Sequence, residues 1–167
     1  MYKKKPFFIV FEGVEGCGKS YQSKKLFNKL KKKKKVIWVD GDDVRKFISF
    51  KLGYSINDRK KNSFLISNLC NFLEKKNYIV ICSILSIFRE HQKRNRKIFK
   101  KYVQIYIKSN LKSLILQNNK KIYKKKNIVG VDIKFPIPHK SDFVIDNSNK
   151  KKIDQKIFNK IVKKINA

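Results

Sequence analysis

The stretch FEGVEGCGKSY, Phe11–Tyr21, decides how the chain is read. Within it Gly13–Ser20 fits G-x-x-x-x-G-K-[ST], the loop whose backbone N–H groups cradle the phosphates of ATP or GTP. Such a loop works between a strand that delivers the chain and a helix whose N-terminus favours anions. Phe7–Phe11 is an apolar run of strand length, and Lys19–Lys31 places Leu26 and Leu30 on one helical face. The required context is present. The nucleotide-binding candidates are therefore Gly13, Val14, Glu15, Gly16, Cys17, Gly18, Lys19 and Ser20. Lys19 is expected to reach the β- and γ-phosphates of ATP, and the Ser20 hydroxyl to help hold Mg²⁺.

Further along, strand and helix patterns alternate. Val36–Asp40 (VIWVD), Tyr78–Cys82 (YIVIC), Tyr102–Ile107 (YVQIYI) and Asp142–Asp146 (DFVID) read as four more strands. Between the second and third, Phe64, Leu65, Leu69 and Phe72 recur at helical spacing. Pro136 and Pro138 mark a loop, and Ile153, Ile157, Ile161 and Ile165 give a closing amphipathic helix. The expectation is an α/β fold: a mainly parallel five-stranded sheet with helices on both faces, one domain over residues 1–167. Ligands of such sheets bind at the carboxyl ends of the strands. Gly13–Ser20, Asp40–Arg45 and Ser83–Ser86 then share one rim.

Composition excludes several classes. An apolar fraction of 41% suits a folded globular chain. No apolar run nears the roughly 18 residues of a membrane span. Lys3, Lys4 and Lys5 precede Phe7–Phe11, but Glu12 cuts that run short of a signal peptide, so a cytoplasmic protein without membrane partners is expected. Cys17, Cys70 and Cys82 form no C-x-x-C pair, which argues against a disulfide framework or a zinc site. The net charge of +31 is carried almost wholly by Lys, with runs such as Lys31–Lys35 and Lys124–Lys126 at helix ends and in loops. No RNA-recognition pattern, zinc finger or basic zipper accompanies it, so no specific nucleic-acid partner is expected.

The 12 carboxylates are the more informative charges. Asp40, Asp42 and Asp43 cluster at the end of the second strand in DGDDVR, with Arg45 behind them. Phosphoryl transfer needs a carboxylate facing the acceptor hydroxyl and cations on the acceptor's anionic group. Asp42 is the candidate for orienting the hydroxyl and the water shell of the metal, Arg45 for gripping an anion. The plainer alternative is that Asp40 or Asp43 merely caps the following helix and that Arg45 is solvated.

DGDDVR (Asp40–Arg45), followed by LGYSINDRKKN (Leu52–Asn62), resembles the adenylylsulfate kinases, which carry DGDN-x-R and then LGFS-x-x-DR-x-x-N. The likeness continues through SILSIFRE and the downstream NR (Ser83–Arg96), KKIY (Lys120–Tyr123) and NIVGVDIKFPIPHKSDFVIDN (Asn127–Asn147). The opening FEGVEGCGKS looks more like thymidylate kinase, a likeness that ends after the first helix.

The resemblance implies a P-loop kinase of nucleoside-monophosphate-kinase-like fold. It implies transfer of the ATP γ-phosphate to the 3′-hydroxyl of adenosine 5′-phosphosulfate, a small-molecule nucleotide, and often a homodimer. On the matching positions, Asp42, Asp43, Val44 and Arg45 would line the acceptor site and Tyr54 would stack on its base. Arg59 and Asn62 would meet its anionic tail or ribose. Leu85 and Ser86 match an Ile-Ser pair whose serine is recorded as phosphorylated in the family. In-line transfer needs no enzyme nucleophile, so Ser86 is expected to touch substrate. Lys120 matches the lid lysine, and Asn127 and Ile128 residues that close over the acceptor, in a lid of about residues 117–130.

The chain also departs from the family. Phe64 and Leu65 replace two arginines, Ile87 a proline, and Gln117-Asn118 the lid Arg-Asp, while the lid is shorter between Tyr123 and Asn127. The SILSIF segment (Ser83–Phe88) with NR resembles family members of surface-polysaccharide pathways, one of which uses cytidine diphosphoramidate as acceptor. A nucleoside monophosphate is a further alternative acceptor. A non-catalytic protein that binds ATP and polyanions is the reading from a different class.

Overall fold

The computed structural model describes residues 6–32, 34–48, 51–117, 126–138, 140–148 and 155–166. Lys120, the other lid positions 118–125 and Ile153 of the closing helix lie outside the described residues.

The strands are β1 (Phe7–Glu12), β2 (Val36–Asp40), β3 (Ile79–Ile84), β4 (Tyr102–Lys108) and β5 (Phe143–Asp146). The helices are α1 (Lys19–Leu30), α2 (Gly41–Phe47), α3 (Ile56–Lys75), α4 (Arg89–Ile98), α5 (Leu111–Gln117) and α6 (Gln155–Asn166). The five strands form one parallel sheet in the order β2-β3-β1-β4-β5. The α/β expectation holds, with strand limits differing by one or two residues. The largest difference is at β3, which runs two residues beyond Cys82 and so carries Ser83 and Ile84 to the rim.

Every residue of β1 is buried, which explains why its sequence is an unbroken apolar run rather than an alternation. Phe7, Ile9 and Phe11 pack on one face with Leu26 and Leu30 of α1 and Phe158, Ile161 and Ile165 of α6. Phe8 and Val10 pack on the other with Ile66 and Cys70 of α3 and with Phe99, whose ring stacks on Phe8 at 4.0 Å. A one-residue slip would exchange the two layers, so the register is strongly specified.

Helix α3 is where the sequence predicts, but its apolar stripe is not its buried face. Phe64, Leu69 and Phe72 are exposed, whereas Arg59, Asn62, Ser63, Ile66, Ser67, Cys70 and Glu74 are buried. The polar inner face has partners. Ser63 Oγ meets His91 Nδ1 at 3.0 Å, Ser67 donates to Asn95, and Glu74 accepts the Lys100 N–H. The start of α3 is fixed by a reciprocal cap: Ser55 Oγ accepts the Asp58 N–H and donates to Asp58 Oδ2. Much of the LGYSINDR motif therefore builds a helix start.

A candidate phosphotransfer site at the carboxyl edge

Because the sheet is parallel, the ends of β1, β2 and β3 and the loops leaving them meet at one edge. There they enclose a cleft of about 490 Å³.

One wall is the phosphate loop. A Cβ on Gly13 would stand 2.6 Å from Cys17 Sγ and 2.7 Å from the Ile107 carbonyl, so only glycine allows the turn. Gly18, at φ +98°, turns the chain into α1. Asn147, just past β5, holds the loop from behind, its Nδ2 donating to the Cys17 carbonyl at 2.9 Å. Glu15, Gly16, Gly18, Lys19 and Ser20 face the cleft. Cys17 is fully buried. Lys19 Nζ rests on the loop itself, donating to the Val14 carbonyl at 2.7 Å. The close-fitting glycines, the cation and the helix start suit the polyphosphate of a nucleotide.

Asp40 supplies the link to β2. Its Oδ1 accepts the Asp42 N–H and caps α2, and its Oδ2 accepts from Ser83 Oγ at 2.7 Å. Burial pushes the Asp40 carboxyl up, but bonds from Ser20, Ser83 and the Asp42 N–H, with the Lys19 charge, outweigh it and hold it below the usual range. A charged Asp40 thus sits beside the Ser20 hydroxyl. Two hard oxygen donors next to a phosphate cradle fit Mg²⁺, which takes few protein ligands and completes its shell with phosphates and water. Asp40 is the site residue that sequence reasoning assigned only to capping. The missing signal was spatial, since Ser20 and Ser83 are far from it in sequence.

The same cleft gathers most of the acceptor candidates: Asp42, Arg45, Tyr54, Arg59, Asn62, Leu85 and Ile128 also line it. Arg45 Nη1 donates to the Gly53 carbonyl at 2.5 Å and its guanidinium lies 4.9 Å from the Tyr54 ring. Arg59 is buried and heavily engaged. Its Nε donates to the Tyr54 carbonyl, and its Nη2 to Glu15 Oε1 at 3.0 Å and the Asn127 carbonyl at 2.8 Å. It ties the phosphate loop, the start of α3 and the 126–130 segment together. Asn62 Oδ1 is buried without a hydrogen-bond partner among the described residues, an acceptor awaiting a donor.

Some candidates lie elsewhere. Asp43 is exposed and pairs with Lys46 at 3.4 Å, and Val44 packs on the second core layer. Asn127 contributes its carbonyl to Arg59, at φ 63°. Ser86 is buried behind the cleft wall, lining a separate small cavity. Tyr21, Lys46 and Lys126 line the cleft without having been singled out from the sequence. Among the described residues no helix is long and apolar enough to cross a membrane.

A phosphate loop at the centre of a five-stranded parallel sheet, facing a cation-rimmed cleft, defines a P-loop phosphotransferase. The profile of the adenylylsulphate kinase family matches residues 5–146, and the chain belongs to that family. Cytidine diphosphoramidate kinase of Campylobacter jejuni is 34% identical over 170 residues, covering 98% of each chain. Adenylyl-sulfate kinase of Thermodesulfovibrio yellowstonii is 30% identical over 154 residues, covering 87% of this chain and 77% of its own. Among solved structures, the Mycobacterium tuberculosis APS kinase in complex with AMPPNP and APS superimposes with a TM-score of 0.84 at 21% identity, covering 98% of this chain and 99% of that one. That last likeness supports the fold.

Proposed function

We propose that the protein transfers the γ-phosphate of ATP to the 3′-hydroxyl of adenosine 5′-phosphosulfate. The observation that carries this reading is one cleft lined both by Lys19, Ser20 and Asp40 and by Arg45, Tyr54 and Asn62. Lys19 leaves the Val14 carbonyl to meet the β- and γ-phosphates. Ser20, oriented by Asp40, would hold Mg²⁺, with Asp42 nearby, and a metal bound there would supply positive charge against the phosphoryl oxygens. Asp42 also aligns the acceptor hydroxyl, which leaves in-line positioning as the main task of the protein. Tyr54 offers its ring to the base, Asn62 accepts from an N–H or O–H of the acceptor, and Arg45 faces its anionic tail. Ser86 supports the β3 end from behind. Lys120 is the proposed lid cation.

A second reading is favoured by the end-to-end match to the Campylobacter jejuni protein. In it the acceptor is cytidine diphosphoramidate, also an anionic nucleotide with a free 3′-hydroxyl. The two readings share the donor chemistry. ADP release with ATP and Mg²⁺, acceptor by acceptor, separates them: a response to adenosine 5′-phosphosulfate alone supports the first. A response to cytidine diphosphoramidate alone replaces it, and silence from both with ATP still bound overturns both.

Two variants test the two groups of residues separately. Arg45→Ala is expected to raise the KM for the acceptor about tenfold or more while ATP affinity stays near normal, by loss of a charge-assisted contact. Equal loss of both would move the acceptor away from Arg45. Asp40→Asn is expected to lower kcat about 100-fold, because Ser20 loses its charged partner. Unchanged kcat would reduce Asp40 to a helix cap.

A further inference from the structure

Glu12 is the one carboxylate of the phosphate-loop segment that the reading above does not use. It ends β1, in register with Ile84 of β3 and Tyr106 of β4, and is fully enclosed at the middle of the sheet. Its Oε2 accepts from Gln92 Nε2 of α4 at 3.0 Å and from Gln104 Nε2 of β4 at 2.6 Å. No ion pair reaches it among the described residues. Arg96 stops one residue short: its Nη2 donates to Gln104 Oε1 at 2.6 Å and its Nη1 pairs with Asp142 at 3.7 Å. The side chain also borders a cavity of about 10 Å³ walled by Ser63, Ser67, Ser86 and Asn95. That is about the room of one water molecule, with enough polar partners to hold it.

The groups around Glu12 are neutral or already paired. Cys82 on β3, through its bond with Cys70 and its burial, and Tyr102 on β4, through burial, titrate well above their usual range. His91 of α4 is pushed down, chiefly by burial, and meets Ser63. Arg94 reaches Ser67 at 3.1 Å from the outer side, and Asp40 on β2 is charged but bonded to Ser83. Burial raises the Glu12 carboxyl to about 7, although Gln104, Arg96 and Gln92 pull it down. Just below neutral pH it keeps a proton that an ordinary carboxyl would have lost.

We propose that Glu12 is a proton-linked positioning residue of the phosphate loop: enclosed directly before Gly13 and braced by Gln92 and Gln104, it supports nucleotide binding as the neutral acid and opposes it as the carboxylate. The physical reason is charge placement. An ionised Glu12 sets an unpaired anion in a low-dielectric core, one residue from the loop whose N–H groups receive phosphates. The proton goes to and comes from solvent, so the balance is a simple ionisation. Linkage makes the effect reciprocal: bound nucleotide favours the neutral acid, and binding near pH 7 takes up a proton.

The proposal rests on the kinase reading for its nucleotide, so its test has two arms. In the first, urea unfolding is followed from pH 5 to 8 without ligand. The unfolded chain loses the Glu12 proton near the ordinary 4.5 and the folded one near 7, so stability falls across that window and then levels. Glu12→Gln, which keeps the shape and cannot ionise, should lack this fall. The carboxylic C=O infrared band should be present in the wild type at pH 6 and absent in the variant. In the second arm, affinity for a non-hydrolysable ATP analogue should weaken about fivefold between pH 6 and 8 beyond the change in Glu12→Gln. Calorimetry in buffers of different ionisation enthalpy should show extra proton uptake by the wild type. Equal pH profiles of affinity in both proteins overturn the proposal even if the unfolding arm succeeds. No analogue binding at any pH overturns the kinase reading and the coupling with it, while the unfolding arm still reports whether Glu12 holds the proton.

Discussion

Lys19→Ala is expected to lower phosphoryl transfer by about three orders of magnitude or more, whichever acceptor is supplied. The ammonium group rests 2.7 Å from the Val14 carbonyl and 4.0 Å from Cys17 Sγ, inside the loop that would receive the phosphates. That contact is short-range and replaceable by water, so removing it should leave the fold intact. In the transition state negative charge spreads over the phosphoryl oxygens, and a fixed cation in a partly dry cleft is worth far more there than in water. The check is ADP release beside a thermal melt. Melting should be nearly unchanged while turnover collapses. Lys19→Arg should recover little, because a planar fork does not replace a compact point charge in a tight loop. Turnover surviving in Lys19→Ala would mean that the donor phosphates lie outside this loop.

The second large effect is on the architecture of the cleft. Arg59→Ala should destabilise the protein by about 3 kcal/mol, the scale for breaking a largely buried pair from one side. Three things are lost together: the 3.0 Å pair to Glu15, the bond to the Asn127 carbonyl at 2.8 Å, and the bond to the Tyr54 carbonyl at 3.1 Å. The Arg59 side chain is 7% exposed and that of Glu15 19%, so Glu15 keeps some water and the cost stays below the extreme for a sealed site. At this chain length each kcal/mol corresponds to about 2–4 °C in Tm. Arg59→Lys should recover only part, since one ammonium cannot reach three separate acceptors as the fork does. Activity should fall for both donor and acceptor, because Glu15 belongs to the phosphate loop and Tyr54 to the acceptor candidates. A melt within a degree of the wild type would show that these segments are held by other contacts.

The contrast between Arg45 and Arg59 shows what sequence could and could not assign. Both lie in motif segments; Arg45 was expected to grip an anion and Arg59 to meet the acceptor's anionic tail or ribose. The structure makes Arg59 a three-way tie and leaves Arg45 anchored by carbonyls of its neighbouring turn, against the Tyr54 ring. Burial separates them, and burial depends on which face of α3 meets the sheet. The spacing of Phe64, Leu69 and Phe72 announced a helix but not its buried face, because the inner face is mostly polar, with Ser63 and Ser67 bonded to α4. Ser86 followed the same course. Its motif placed it just past the β3 end, but its side chain is buried and lines the small cavity beside Glu12.

The sequence by itself determined the phosphate loop, the five strands and their order along the chain, and the edge of the sheet at which the phosphate loop lies. Those features are local: they rest on glycine conformations, apolar runs of strand length, and the rule that parallel strands present their carboxyl ends together. Tertiary structure alone decided the partners of the charges. Asp40 became a neighbour of Ser20, Arg59 a clamp on Glu15, and Glu12 an acid enclosed between Gln92 and Gln104. Each depends on groups brought together from distant parts of the chain. The energy of a charge is set by its dielectric surroundings and its nearest counter-charge, and neither exists until the sheet and its two helical layers have closed around it.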